Sequence, residues 1–277
     1  MSGKTVLVTG STEGIGRQTA IELARLGAAV IVHGRDRDRG RAALTAVREA
    51  AAAHGGHADE CEFLLADLST AAGARALAKA VAARHRRLDV VINNAGVYSP
   101  SRVATADGLE LTFAVNVLAP FVLTRALLPL LRAAAPARIV NLSSTSHWQG
   151  TMHWDDLQLE RDYDPLVAYE QSKLAMTLLT FELARRLTGS EITAVCLDPG
   201  NVDTGMLRAG WPELQGVDHV TGAATSVHLA SSPRVQGVTG AYYEEGRETP
   251  LPAPSLDREA QSRLWTILER MAKTASR

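Results

Sequence analysis

The segment TVLVTGSTEGIG, Thr5–Gly16, decides the fold. Its first half is a short apolar run rich in β-branched residues, the composition of a strand covered on both faces. Glycines follow at Gly10, Gly14 and Gly16, and the next stretch, IGRQTAIELARLG, has the apolar period of a helix. A strand that turns through glycines into a helix leaves backbone amides open at the helix N-terminus, where the dipole favours an anion. The spacing is G-x-x-x-G-x-G, so by itself the loop is either a phosphate cradle or a tight turn. Its place between the first strand and the first helix favours a dinucleotide pyrophosphate. Gly10, Ser11, Thr12, Glu13, Gly14, Ile15 and Gly16 are then cofactor-binding residues.

The same alternation continues outward. AVIVH (Ala29–His33), EFLLA (Glu62–Ala66), DVVIN (Asp89–Asn93), RIVNLS (Arg138–Ser143) and ITAVCL (Ile192–Leu197) read as buried strands, and AYY (Ala241–Tyr243) as a seventh. Helical patterns such as SKLAMTLLTFELARRL lie between them. Strands alternating with helices specify an α/β fold, a doubly wound parallel seven-stranded sheet with helices on both faces. The chain is read as one catalytic domain over 1–250, with a substrate loop about 201–220. A proline-rich connector, ETPLPAPS, and a C-terminal helix follow over 251–277. That helix, about Leu256–Lys273, carries Leu264, Trp265 and Leu268 on one face.

The 277 residues suffice for one large α/β domain, and the net charge of −1 argues against a nucleic-acid partner. Arginines in HGRDRDRGR alternate with aspartates and read as a solvated helix start. Cys61 and Cys196, each beside an apolar run, form neither a disulfide framework nor a zinc cluster. Buried thiols suit a cytoplasmic protein. MSGKTVLVTG has no signal-peptide core, and no uninterrupted apolar run reaches about 18 residues, so no membrane span is expected.

The end of the second strand chooses between dinucleotides. A carboxylate there would bind the adenosine ribose. The chain has His33-Gly34-Arg35, and a guanidinium at Arg35 matches a 2′-phosphate, so NADP(H) is expected over NAD(H). Arg35 is otherwise an ordinary solvated residue. Asp67 and Leu68 follow the third strand, where Asp67 could accept from the adenine amino group. NNAG, with Asn94, Ala95 and Gly96, ends the fourth strand, and its small residues permit close approach to a cofactor. Loop capping is the alternative for both.

Tyr169 and Lys173 stand at i and i+4 in AYEQSKLA, on one helix face. With only five tyrosines in the chain, such a pair is informative. A phenol with a pKa of about 10 is a poor proton carrier at neutral pH, and a nearby ammonium lowers it. Tyr169 could then give a proton to a carbonyl oxygen, or take one from an alcohol. Ser143 and Ser144 close the fifth strand at the carboxyl edge of the sheet, where a hydroxyl could orient that oxygen.

Thr9-Gly10, Gly14-Ile15-Gly16, Asn93-Asn94-Ala95-Gly96, Ser143-Ser144, Tyr169 with Lys173, and Pro199-Gly200 occur in the order that resembles short-chain dehydrogenases/reductases. The resemblance spans about Lys4 to Tyr243. It implies a Rossmann fold, a nicotinamide cofactor contacted also by Tyr169 and Lys173, and a Ser–Tyr–Lys site. Asn116, in TFAVNVLAPF, matches the asparagine that completes a proton relay. Pro199, Gly200, Val202 and Thr204, with Asn201, match the loop beside the nicotinamide. Ser144 and Tyr169 lie 25 positions apart, farther than in the common pattern. That gap and the ending in RLW resemble the retinol-dehydrogenase-like and WW-domain-oxidoreductase-like subgroup, with Ser144 rather than Ser143 catalytic. The start at the first strand and the Ala- and Arg-rich composition suggest a soluble bacterial-type member.

HWQGTMHWDD, His147–Asp156, lies inside that gap. Taken alone its histidines and aspartates invite a metal, but the spacing is no standard ligand set and hydride chemistry needs no Lewis acid, so no metal is expected. The stretch reads as a pocket wall. Ser144, His147, Trp148, Tyr98 and Trp211 are expected at the substrate, with Trp154 and the aspartates bracing the loop. Met152 and Trp154 either join the pocket or pack. The expected activity is NADP(H)-dependent reduction of a ketone or aldehyde, or oxidation of an alcohol, on an apolar or aromatic small molecule. A non-redox cyclase or isomerase using Tyr169, and a cofactor-sensing binding protein, are the alternatives. Helix four, FAVNVLAPFVLTRALLPLL, is apolar nearly all round and must be deeply buried. A homodimer or homotetramer through helices four and five would cover part of it.

Overall fold

In a computed structural model that describes residues 1–275, strand β1 (Thr5–Val8) lies inside the sheet, hydrogen-bonded in parallel to β2 (Ala29–Gly34) and β4 (Val90–Asn93). β3 (Glu62–Leu65) flanks β2. β5 (Ala137–Leu142), β6 (Ile192–Leu197) and β7 (Tyr242–Glu244) extend the other half. The order is β3-β2-β1-β4-β5-β6-β7-β8, and β1 to β7 are all parallel. The seven expected strands are present within about a residue or two of their read limits. The sheet has eight strands rather than seven. Arg247–Glu248 (β8) folds back antiparallel on β7 through a turn with positive φ at Glu245 and Gly246. Both β8 residues are exposed, so no apolar pattern announces this strand.

Alternation along β1 sends its side chains to both faces. Leu7 joins one core with helices α3 (Ala71–Arg84), α4 (Leu111–Ala134) and α5 (Pro165–Arg186). Val6 and Val8 join the other with α1 (Gly14–Arg25), α2 (Arg37–Ala53) and α7 (His219–Ser231), while α6 (Gly205–Gly210) lies in the loop after β6. Helices on both faces explain why the strand runs are continuous rather than alternating. Cys61 and Cys196 are buried free thiols.

α4 bears on the expectation about membrane spans. Read by uninterrupted apolar runs the chain has no spanning segment, yet Leu111–Ala134 is long and apolar enough to cross a membrane by length and composition. Of its most apolar window 72% is buried inside the fold, because α4 packs between the sheet, α3 and α5. The last helix, α8 (Arg258–Thr274), lies against α5 and buries Leu264, Trp265 and Leu268. Trp265 meets Phe121 of α4 edge-on at 5.0 Å, and the Arg186 guanidinium stacks 4.3 Å from its ring. α8 therefore occupies part of the outer surface of α4 and α5.

Candidate active site

β1 and its neighbours open a crevice where the strand order reverses, at their carboxyl ends, which is where ligands bind in such sheets. The glycine turn fills it. Gly10 has φ +62°, and a Cβ there would stand 2.8 Å from the Ala95 Cα, so only glycine fits. The Thr9 hydroxyl accepts from the Asn94 and Ala95 amides at 3.0 Å each, and the Asn94 amide donates to the Thr9 and Gly10 carbonyls. His33 accepts from the Gly10 N–H at 3.1 Å through Nδ1, and its Nε2 lies 3.3 Å from the Ala66 carbonyl. Burial lowers the His33 pKa to about 4, so the ring is neutral and suited to these two roles. The Ser11 N–H and hydroxyl are both used inside the fold, on the His33 and Val8 carbonyls, so Ser11 braces the turn.

The first turn of α1 fits a pyrophosphate. Among the described residues every other helix of six residues or more has an N-cap side chain accepting backbone N–H groups: Asp36, Thr70, Glu110, Asp164, Thr204, Asp218 and Asp257. Glu13 makes no such bond and no acidic residue occupies the first turn of α1, so its amides remain available to an anion. Glu13 instead pairs with Arg39 at 3.1 Å. Arg35 is exposed just after β2, and the nearest carboxylate, Asp36, is taken up in capping α2. Asp67 is exposed but accepts from the Ser69 N–H, while Leu68 is core. Gly96 stands near Asn116. Pro199, exposed Gly200 (φ +78°), Val202 and Thr204 line the opposite wall, and Val202, largely buried, also packs against Gly222.

The reacting end is a cavity of about 450 Å³ whose lining includes Ser144, Trp148, Tyr169, Asp198, Trp211 and Glu244. The Ser144 hydroxyl lowers the pKa of both the Tyr169 phenol and the Asp198 carboxylate, and its own bonds are to the Ser146 N–H and hydroxyl at 3.2 Å each. Ser143 is buried and bonded to the Lys173 carbonyl and the Thr177 hydroxyl, so the structure places Ser144, not Ser143, at Tyr169. Lys173 donates to the Leu142 carbonyl at 3.1 Å, and its ammonium stands 5.3 Å from the Tyr169 ring. Burial brings the Lys173 pKa down to about 8. Tyr169 differs from expectation. Burial and then the Asp198 charge push its phenol well above the usual range, with the Ser144 hydrogen bond acting the other way.

Asn116 lies in a π-helical turn, Ala114–Leu118, within α4. Such turns recur at functional sites. Its amide clamps Val97, accepting from the N–H at 2.8 Å and donating to the carbonyl at 3.0 Å, and it donates to the Ser172 hydroxyl. It thus sits one residue from Lys173 without a direct bond to it.

The expected substrate wall divides. Trp148 is half exposed and lines the cavity, and Trp211 stacks 5.2 Å from Tyr169, with Tyr98 packed against both rings. His147 is not at the mouth. It is buried, bonded through Nδ1 to the Ser144 carbonyl at 2.6 Å and packed on Tyr242 at 4.8 Å. The short 3-10 turn Thr145–Trp148 puts neighbours on different sides, turning Trp148 outward and His147 inward. Met152 is core, and Trp154 stacks with Arg263 of α8. Asp156 braces the loop by accepting from Glu160 and Arg161. The described residues contain no group of metal-ligating side chains. Sequence reading missed Asp198, Glu244 and Arg39. Asp198 alone had a signal, as the charged residue that ends β6 before Pro199-Gly200.

The short chain dehydrogenase family model matches residues 4–214. Human retinol dehydrogenase 14 is 40% identical, over 98% of this chain and 87% of its own length. The crystal structure of an uncharacterized protein from Mycobacterium paratuberculosis superposes with TM-score 0.79 at 32% identity, covering 98% of this chain and 94% of that one. A short-chain dehydrogenase from Escherichia coli CFT073, crystallised with NADPH, gives TM-score 0.72 at 27% identity, covering 89% and 98%.

Proposed function

The chain belongs to the short-chain dehydrogenase family, in its retinol-dehydrogenase-like subgroup, and from that premise we propose that it is an NADP(H)-dependent reductase of apolar aldehydes or ketones. Membership makes it an oxidoreductase of alcohol or carbonyl carbons. The observation that carries the finer reading is Ser144 beside Tyr169 at the wall of the cavity, with the uncapped end of α1 and the glycine turn nearby. Nicotinamide, when bound, supplies or accepts the hydride. The chain's own residues do the rest. Ser144 holds the substrate oxygen, Tyr169 gives it a proton, and Lys173 keeps a positive charge near the phenol at neutral pH. Trp211 and Trp148 present apolar surface to the substrate, and Tyr98, packed on Trp211 and Tyr169, helps exclude water from the phenol. Asn116 fixes the Val97 backbone and the Ser172 hydroxyl on the two sides of that centre. Loop 201–220 is the element proposed to order on substrate.

NADP(H) is supported by exposed Arg35 at the tip of β2, by the engagement of Asp36 in the α2 cap, and by the NADPH in the related E. coli protein. An apolar substrate is supported by the aromatic wall and by the retinol dehydrogenase relatives. A homodimer or homotetramer through α4 and α5 belongs to the same reading. It must form around α8, and light scattering on the protein with and without NADPH measures it. Activity is tested by following NADPH absorbance with a panel of aromatic, aliphatic and isoprenoid aldehydes and ketones, all-trans-retinal included. Turnover with NADPH, and a poorer kcat/KM with NADH, is the expected result. Product formation without net cofactor oxidation would move the chain to the non-redox reading.

A further inference from the structure

Asp198 ends β6 and precedes the Pro199-Gly200 turn, yet its carboxylate reaches back to the neighbouring strand. One oxygen accepts from the Thr145 N–H at 3.1 Å, just beyond the end of β5. The other accepts from the Gly200 N–H at 2.8 Å, in its own loop. Ser144, the residue before Thr145, lines the same cavity as the carboxylate. Asp198 is 9% exposed and lines the cavity that holds Tyr169. Burial raises the Asp198 pKa, and the Thr145 and Gly200 N–H groups and the Lys173 ammonium act the other way, toward the ionised form. One carboxylate therefore ties the backbone just after Ser144, the serine that would hold the substrate oxygen, to the turn that would lie beside the nicotinamide.

The surroundings decide what that charge does. From α5, Tyr169 and the Lys173 ammonium face it. From β7 come Tyr242 and Glu244, and from the 3-10 turn after β5 comes His147, buried against Tyr242 and neutral because burial lowers its pKa. Tyr98 covers the far side of Tyr169, and the Cys196 thiol is buried behind Tyr242. Lys173 is the cation that opposes Asp198, and Glu244 adds to the negative side. An anion beside a phenol disfavours phenolate, the reverse of what Lys173 does.

We propose that Asp198 is a positioning residue of the reaction: it clamps the Ser144 end of β5 to the Pro199-Gly200 turn and biases the site toward proton donation by Tyr169, hence toward carbonyl reduction. This rests on the reading of the site as a reductase. The sign follows directly. Reduction needs the phenol and is lost as pH rises through its titration, so an anion that holds the proton on Tyr169 extends reduction to higher pH. Alcohol oxidation needs the phenolate and is delayed to higher pH by the same anion.

Asp198→Asn removes the charge and keeps the shape, while Asp198→Glu keeps the charge. The primary readout is the tyrosinate difference absorbance of the NADP+-saturated protein against pH, with Tyr169→Phe versions subtracted so that Tyr169 alone is seen. It needs no turnover. Asp198→Asn is expected to move the Tyr169 midpoint down by about one pH unit, and Asp198→Glu to leave it near the wild-type position. With all-trans-retinal and NADPH, the alkaline limb of kcat/KM is expected to fall by the same amount in Asp198→Asn. An unmoved Tyr169 midpoint in Asp198→Asn overturns the proposal, even if turnover drops, since a loop cap alone would lower kcat without moving the titration. A shifted midpoint in a protein that reduces no carbonyl in the panel supports the role of Asp198 and defeats the reductase reading instead.

Discussion

Gly16→Ala tests the glycine turn. Gly16 has ordinary helical geometry, so the cost of a side chain there comes from contact and not from φ. A Cβ at this position would fall inside the van der Waals radii of the Asn94 side-chain nitrogen and the Gly10 carbonyl oxygen, and 3.0 Å from the Asn94 Cγ. The Asn94 amide is the group that bonds Thr9 and Gly10 at 2.8 and 3.1 Å. Overpacking a filled site costs about 1–3 kcal/mol, and two displaced hydrogen bonds add about 0.5–1.5 kcal/mol each. Relaxation of Asn94 recovers part of this, leaving about 2–4 kcal/mol. If half of that falls on the cofactor-competent loop, NADPH binding weakens about 5- to 30-fold, at about tenfold per 1.4 kcal/mol. The remainder appears as a lower Tm, about 2–4 °C per kcal/mol for a domain of this size. NADPH fluorescence titration and thermal unfolding read the two parts. Wild-type affinity together with wild-type Tm would refute the claim that the turn is built around a bare Gly16.

Other perturbations probe separate links. Trp265→Ala removes a buried ring packed on Phe121 and Arg186, and is expected to cost about 3–5 kcal/mol in urea unfolding while leaving NADPH affinity intact. Lys173→Met replaces an ammonium whose pKa burial lowers from 10.5 to about 8. Between those values the unfolded state binds more protons than the folded one, so this group makes wild-type stability rise with pH across that window. The variant should lose that rise in denaturation curves taken from pH 8 to 10.5, and lose turnover at every pH. Arg35→Glu should lower the ratio of NADPH to NADH kcat/KM by tenfold or more, and an unchanged ratio would move 2′-phosphate recognition elsewhere, Arg37 being the next guanidinium along.

Most of the sheet was legible because both faces are covered, which makes each parallel strand a continuous apolar run. β8 was not, since its two exposed residues pair only through the turn at Glu245-Gly246. The motif residues Gly10, Ser144, Tyr169 and Lys173 were legible because their chemistry is tied to strand ends and to i,i+4 spacing. Asp198 and Glu244 escaped because they meet Tyr169 only once β5, β6 and β7 lie side by side. The same limit misjudged Tyr169, since a nearby lysine in sequence promised a depressed phenol and the folded site adds burial and Asp198 against it. His147 and Trp148 show how one residue of offset in a tight turn separates a packed ring from a pocket wall.

The central claim is proton transfer by Tyr169. Its most direct test is Tyr169→Phe, which keeps the ring against Trp211 and Tyr98 and removes only the hydroxyl. With all-trans-retinal and NADPH, kcat/KM is predicted to fall by about 10²–10⁴-fold while the variant still binds NADPH and unfolds at the wild-type temperature. A variant that turns over retinal at the wild-type rate would contradict the account.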